Sequence, residues 1–110
     1  MDDQIKILNS MGILVMEGLP DGGFRRIGNA PGWLGLFLMK DSELRPDKMS
    51  LFLENFLIDA ENFWKSATSG KLRSDPWMET DPISGEEHAF EAIAVVSDGR
   101  KILLIEKVSC

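Results

Sequence analysis

Side chains able to do covalent or metal chemistry are few in this chain: one histidine, His88, and one cysteine, Cys110, among 110 residues. A zinc site draws on several His, Cys or carboxylate ligands, and a thiol nucleophile needs a base beside it. His88 has no second histidine to join it, and it stands at the start of a predicted strand, where an ordinary polar role is expected. Two carboxylates can divide acid and base work when their surroundings separate their acidities, and Asp2-Asp3 and Glu86-Glu87 offer such pairs. Neighbours on a strand point to opposite faces, so Glu86 and Glu87 cannot serve one substrate. Glu91 interrupts the apolar run "AFEAIAVV" and is expected to point outward by the same alternation. "GLPDGGFRRIG" is rich in glycine but has neither the Lys-Ser/Thr ending of a phosphate loop nor the GxGxxG spacing of a dinucleotide fold. Ser10, Ser50 and Ser97 lack a nucleophile-elbow context. No nucleophile–base set assembles, so the expectation is a non-catalytic domain without a metal site.

What the elements must position instead is aromatic mass. "FLENFLIDAENFW", residues 52–64, holds three phenylalanines and a tryptophan. The spacing predicts a helix, with Ser50 as N-cap and Gly70 as C-terminal stop. Leu53, Phe56, Leu57, Ala60, Phe63, Trp64 and Ala67 recur at three- and four-residue steps, and Glu54, Asn55, Asp59, Glu61, Asn62 and Lys65 fill the other side. One broad apolar face of this kind is the seam of a core, with Phe52 at its margin. If the seam encloses a cavity, Trp33, Phe37, Phe56, Phe63, Trp64 and Phe90 are the residues to line it.

Around that helix the pattern shortens to strands. "DQIKILNSM" reads as a short amphipathic helix with Ile5, Leu8 and Met11 on one face. "GILVMEG" and "FRRIG" make a hairpin over residues 12–28 through the turn "LPDGG". "NAPGWLGLFLMKD" reads as short helical turns under the sheet, and "SELRPDKM" as a polar linker. "KLRSDPWMETD" is a strand broken at Pro76. "EEHAFEAIAVV" and "RKILLIEKV" are two central strands joined at Asp98-Gly99. The adjacent basic pairs Arg25-Arg26 and Arg100-Lys101 flank turns and are expected to be solvated ends.

Length and composition bound the rest. With 110 residues and 44% hydrophobic side chains, this is one domain with a core of its own. A net charge of −6 repels phosphate backbones and anionic membrane surfaces. A single cysteine forms no disulfide within the chain, the N-terminal segment is acidic where a signal peptide is basic, and no apolar run approaches a membrane span. The expected compartment is the cytoplasm, with no nucleic-acid or membrane partner.

The order two strands, helices, three strands resembles a PAS domain, a cytoplasmic sensory module of bacterial signalling proteins. "DGGFRRIGNAPGWLGLF", "LFLENFLIDAENFWKSATSGKLRSDPWMETD" and "EAIAVVSDGRKILLIE" are similar to the PAS-like sensor domain that precedes the kinase core in some histidine kinases; together they cover most of residues 21–106. The resemblance implies an α+β fold of profilin-like type: a five-stranded antiparallel sheet with helices packed on one face. It implies a regulatory task, in which ligand or protein binding alters helix–sheet packing and the change leaves through the segment after the last strand, "LLIEKVSC". The partners it implies are an effector linked beyond Cys110, a histidine kinase foremost, a second copy of the domain and a small-molecule ligand of unknown identity. Residues 1–110 are then one sensory domain of a longer signalling protein. Three cofactor chemistries of such domains are disfavoured. Covalent flavin adducts and covalently attached chromophores need an internal cysteine, and haem ligation needs a histidine on the crossover helix; residues 52–64 contain neither.

A reading from another class is a stand-alone adaptor of profilin or roadblock type, which binds a protein partner on its sheet or helix and senses nothing. A small enzyme is the weakest alternative, because no convergent polar set can be nominated.

Overall fold

Turn chemistry and alternation build the sheet. The computed structural model describes residues 7, 8, 10–28, 33, 50–81 and 84–108. Strand β1 (Ile13–Gly18) returns as β2 (Phe24–Ile27) through a turn in which Leu19 N donates to Gly23 O and Gly23 N donates to Asp21 Oδ1, both at 2.8 Å. The chain next enters helix α1 (Leu51–Ser66), then β3 (Gly70–Arg73), β4 (Trp77–Thr80), β5 (Glu87–Ser97) and β6 (Arg100–Val108). Every pairing is antiparallel, in the order β2-β1-β6-β5-β3, with β4 also on β5. The architecture is therefore α+β, an open antiparallel sheet with one described helix. Both strands expected to be central are central.

The six described strands occupy five lateral positions because the expected break at Pro76 divides one border in two. Strand β3 pairs with the second half of β5 and β4 with the first half. Between them Ser74 mends the ladder: its N–H donates to Ala92 O at 2.8 Å, and its Oγ accepts from Ala92 N at 2.9 Å. Ser74 is the buried polar residue among the described positions. The opposite border, β2, is four residues long and carries exposed Arg25 and Arg26. Lys71 and Arg73 stand on β3 in the same way, and short basic strands resist pairing with another chain.

Helix α1 starts as expected, with Ser50 Oγ accepting from Leu53 N at 3.1 Å. It ends earlier than Gly70. Ala67 is the C-cap, its N–H donating to Phe63 O at 2.8 Å, and Ser66 Oγ donates to Asn62 O at 3.0 Å. Gly70, at φ 107°, instead opens β3, where the chain swings back into the sheet through a left-handed conformation. The β5–β6 turn is the expected Asp98-Gly99 pair, both residues at positive φ (52° and 75°), as a primed two-residue hairpin requires.

The sheet has two dissimilar faces. Leu14, Met16, Trp77, Phe90, Ala92, Ala94, Val96, Leu103 and Ile105 pack with Leu53, Phe56, Leu57, Ala60 and Trp64 of α1 in one buried cluster. Ala92 and Ala94 are small, which lets the helix sit close to β5. The other face carries Ile13, Val15, Ile93, Leu104 and their register neighbours. Residues 7, 8 and 10 are helical, as the amphipathic reading of this segment expects, and Met11 in the turn that follows is 67% exposed. Asp2, Asp3, Ile5, Phe37, Cys110, the polar linker and all of residues 29–41 except Trp33 lie outside the described residues. No helix among the described residues is long and apolar enough to cross a membrane.

Candidate functional site

The helical periodicity of residues 52–64 delivers its rings where burial against a sheet requires. Phe56 and Trp64 are buried, Phe63 is half-buried at the flank, and Phe52 is half-buried at the margin. Across the seam Phe90 is fully buried on β5, and Trp33 is half-buried against it with ring centroids 5.0 Å apart, edge to face. Of the six residues expected to line a cavity, five belong to this helix-side layer and Phe37 lies outside the described residues. Two rings that the sequence did not nominate join them. Trp77 stacks on Phe52 at 4.7 Å and lies 5.8 Å from Phe90, while Phe24 leans on Trp64 at 6.0 Å. No sequence signal marks Trp77 for the seam; the register opposite Phe90 is what puts it there.

Each indole N–H has a partner. Trp64 Nε1 donates to Val95 O at 3.1 Å, Trp33 Nε1 to Gly12 O at 2.7 Å, and Trp77 Nε1 to Glu79 Oε2 at 2.8 Å. The first bond matters most for coupling: it ties the last turns of α1 to the backbone of β5, the strand shared by β3, β4 and β6. Helix and sheet are thus held by rings plus one directed bond.

His88 is the second residue of β5, as its expected strand-start role requires. It stands opposite Glu79, and its Nε2 lies 3.9 Å from Glu86 Oε2, beyond hydrogen-bond reach. Its Nδ1 is buried without a partner. A buried donor or acceptor left unmet costs about 1–3 kcal/mol. Among the described residues no group of three or more His, Cys, Asp or Glu side chains is placed to hold a metal ion.

The basic pairs meet expectation in part: Arg25 and Arg26 are exposed, while Arg100 is half-buried and both Arg25 and Arg100 are engaged by one carboxylate. Glu17 accepts from Arg100 Nε at 2.9 Å and Nη2 at 3.1 Å, and from Arg25 Nη2 at 2.8 Å. Hydrogen bonds from Arg100 and then Arg25 hold the Glu17 carboxyl down at about 2, from an ordinary 4.5, and Glu17 in turn raises Arg100. Arg26 and Lys101, their sequence neighbours, point to the other face by alternation; Lys101 lies 3.8 Å from Glu61 of α1. Glu91 points away from the helix, as expected, and pairs with Arg73, which also lies 3.6 Å from Glu106.

No family model matches the chain, and neither the curated proteins nor the solved structures provide a match to it. The class defined by fold and seam is an α+β domain whose one described helix is clamped to an antiparallel sheet.

Proposed function

We propose that this chain is a PAS-like sensory or regulatory domain that controls a linked effector, a histidine kinase being the leading case, through ligand or protein binding and self-association. The observation that carries the reading is the Trp64–Val95 bond within an aromatic seam. Strand β5 receives the helix on one side and passes through Asp98-Gly99 into β6, which ends at Val108. An input that reseats α1 moves β5, and the β5–β6 ladder carries the shift to the exit. The five-position antiparallel sheet with a helix on one face is in keeping with this family resemblance.

Hydrogen-exchange mass spectrometry of wild type and Trp64→Phe tests the coupling. Removing the indole donor is expected to speed exchange both in α1 and in β6 around Leu103 to Ile105. A change confined to α1 overturns the proposed route. Native mass spectrometry with an absorbance spectrum then identifies the input: a retained mass or a visible band marks a small ligand, and a bare polypeptide marks a protein contact.

A further inference from the structure

Among the described residues the helix-side layer leaves one buried polar atom unsatisfied, Nδ1 of His88. His88 precedes Phe90 by two residues on β5, so its side chain leaves the sheet on the side that carries α1. That side chain is 14% exposed, and in either neutral tautomer Nδ1 is a donor or an acceptor without a partner. Glu79 of β4 stands directly opposite, on the same face, and side chains paired in this way have Cβ atoms about 4.5–5.5 Å apart. Glu79 is engaged elsewhere: its Oε2 accepts from Trp77 Nε1 at 2.8 Å. Trp77 is buried and stacks on Phe52 in the first turn of α1, with ring planes 13° from parallel. One carboxylate thus stands between an imidazole that lacks a partner and an indole that seats the start of the helix.

We propose that His88, Glu79 and Trp77 form a proton-operated relay that sets the seating of the first turn of α1. Histidine is the side chain that ordinarily changes charge between about pH 5 and 8. A proton taken from water makes both ring nitrogens donors, and a buried cation without a partner is costly. The opposed Glu79 carboxylate answers it by charge as well as by hydrogen bond, which the neutral indole cannot match. Glu79 then turns toward His88, Trp77 Nε1 loses its acceptor, and the Trp77–Phe52 stack shifts; loss of the proton returns Glu79 to the indole. The other charged groups around the ring do not replace Glu79. Glu86 lies 3.9 Å from Nε2, the other nitrogen, with its side chain 72% exposed. Asp81, in the β4–β5 turn, accepts from Ser84 N, and Glu87 falls on the opposite face. Lys107 of β6, opposite Phe90, and Glu54 in the first turn of α1 are exposed, so water and salt screen them. The relay rests on the seam and not on the identity of an effector. In the sensory reading it adds a proton as an input, at the end of α1 away from the Trp64–Val95 bond.

The test is a nuclear magnetic resonance titration of the untagged chain from about pH 8 to 5. His88 is the sole histidine, so its ring signal is unambiguous, and the Trp77 indole N–H is identified by its loss in Trp77→Phe. The expected result is a shift of the Trp77 N–H signal with the same midpoint as the His88 ring, while the Trp64 N–H, held on Val95 O, stays nearly still. In His88→Gln the Trp77 signal is expected to ignore the step. In Glu79→Gln the His88 ring still titrates and the Trp77 signal does not follow; if one variant fails to fold, the other decides. A His88 ring that titrates without a response at Trp77, or that does not titrate in this range, overturns the relay. So does a Trp77 response that survives either substitution, or equal movement of the Trp77 and Trp64 signals, which marks a general loosening. None of these outcomes bears on exchange coupling between α1 and β6 at fixed pH, which tests the sensory reading separately.

Discussion

On the sheet face that carries α1, polar groups are satisfied one at a time, by an indole N–H on a backbone carbonyl or a serine Oγ on a backbone amide. On the opposite face they are satisfied in groups, by arginines that bridge strands far apart in sequence. The first arrangement depends on shape, because rings must be in place before their single bond forms. The second depends on charge and tolerates small displacements, but it responds to pH. A domain with both has one face stiffened by packing and one tuned by ionisation.

The largest effect is expected at the seam. Trp64→Ala removes a buried ring with its bond to Val95 and should cost about 3–5 kcal/mol in urea unfolding. Trp64→Phe keeps most of the apolar area and should cost roughly 0.5–1.5 kcal/mol, the net worth of one hydrogen bond. Equal losses in the two variants would mean that the directed bond, and not the packing, holds the helix. Next is Ser74→Ala, which leaves the buried Ala92 N–H without its acceptor and should cost about 1–3 kcal/mol; a neutral result would remove Ser74 from the account of the divided border.

On the charged face the informative variable is pH. Glu17 has a folded value of about 2 against an ordinary 4.5, so its contribution is fully present above 4.5 and is lost as pH falls toward and through 2. The stability gap between wild type and Glu17→Gln, followed by denaturant midpoint, should be widest at neutral pH and close over that window. A gap that persists unchanged at pH 2 would break the assignment to Arg100 and Arg25. The smallest effect is Ile58→Arg, on the exposed side of α1, which should stay within about 0.5 kcal/mol of wild type.

Features set by neighbours in sequence were legible. The Ser50 cap, the apolar stripe of α1, the Asp98-Gly99 turn and the break at Pro76 each follow from a few consecutive residues. Glu17 was not nominated, because its partner Arg100 lies 83 positions away and meets it only after β1 has paired with β6. Gly70 was read as the helix stop because glycine suits that place, while the serine and alanine that end the helix carry no comparable signal. Trp77 looked like one residue of a damaged strand; the ladder to β5 is what turns it toward Phe90 and Phe52. The seam was therefore half visible, its helical half from periodicity and its sheet half only from register.

The narrow, cationic flanks of the sheet have a consequence for growth. Fibres grow when a margin offers unpaired amides again after each addition, and a four-residue arginine-bearing strand on one flank and a proline gap on the other provide no such template.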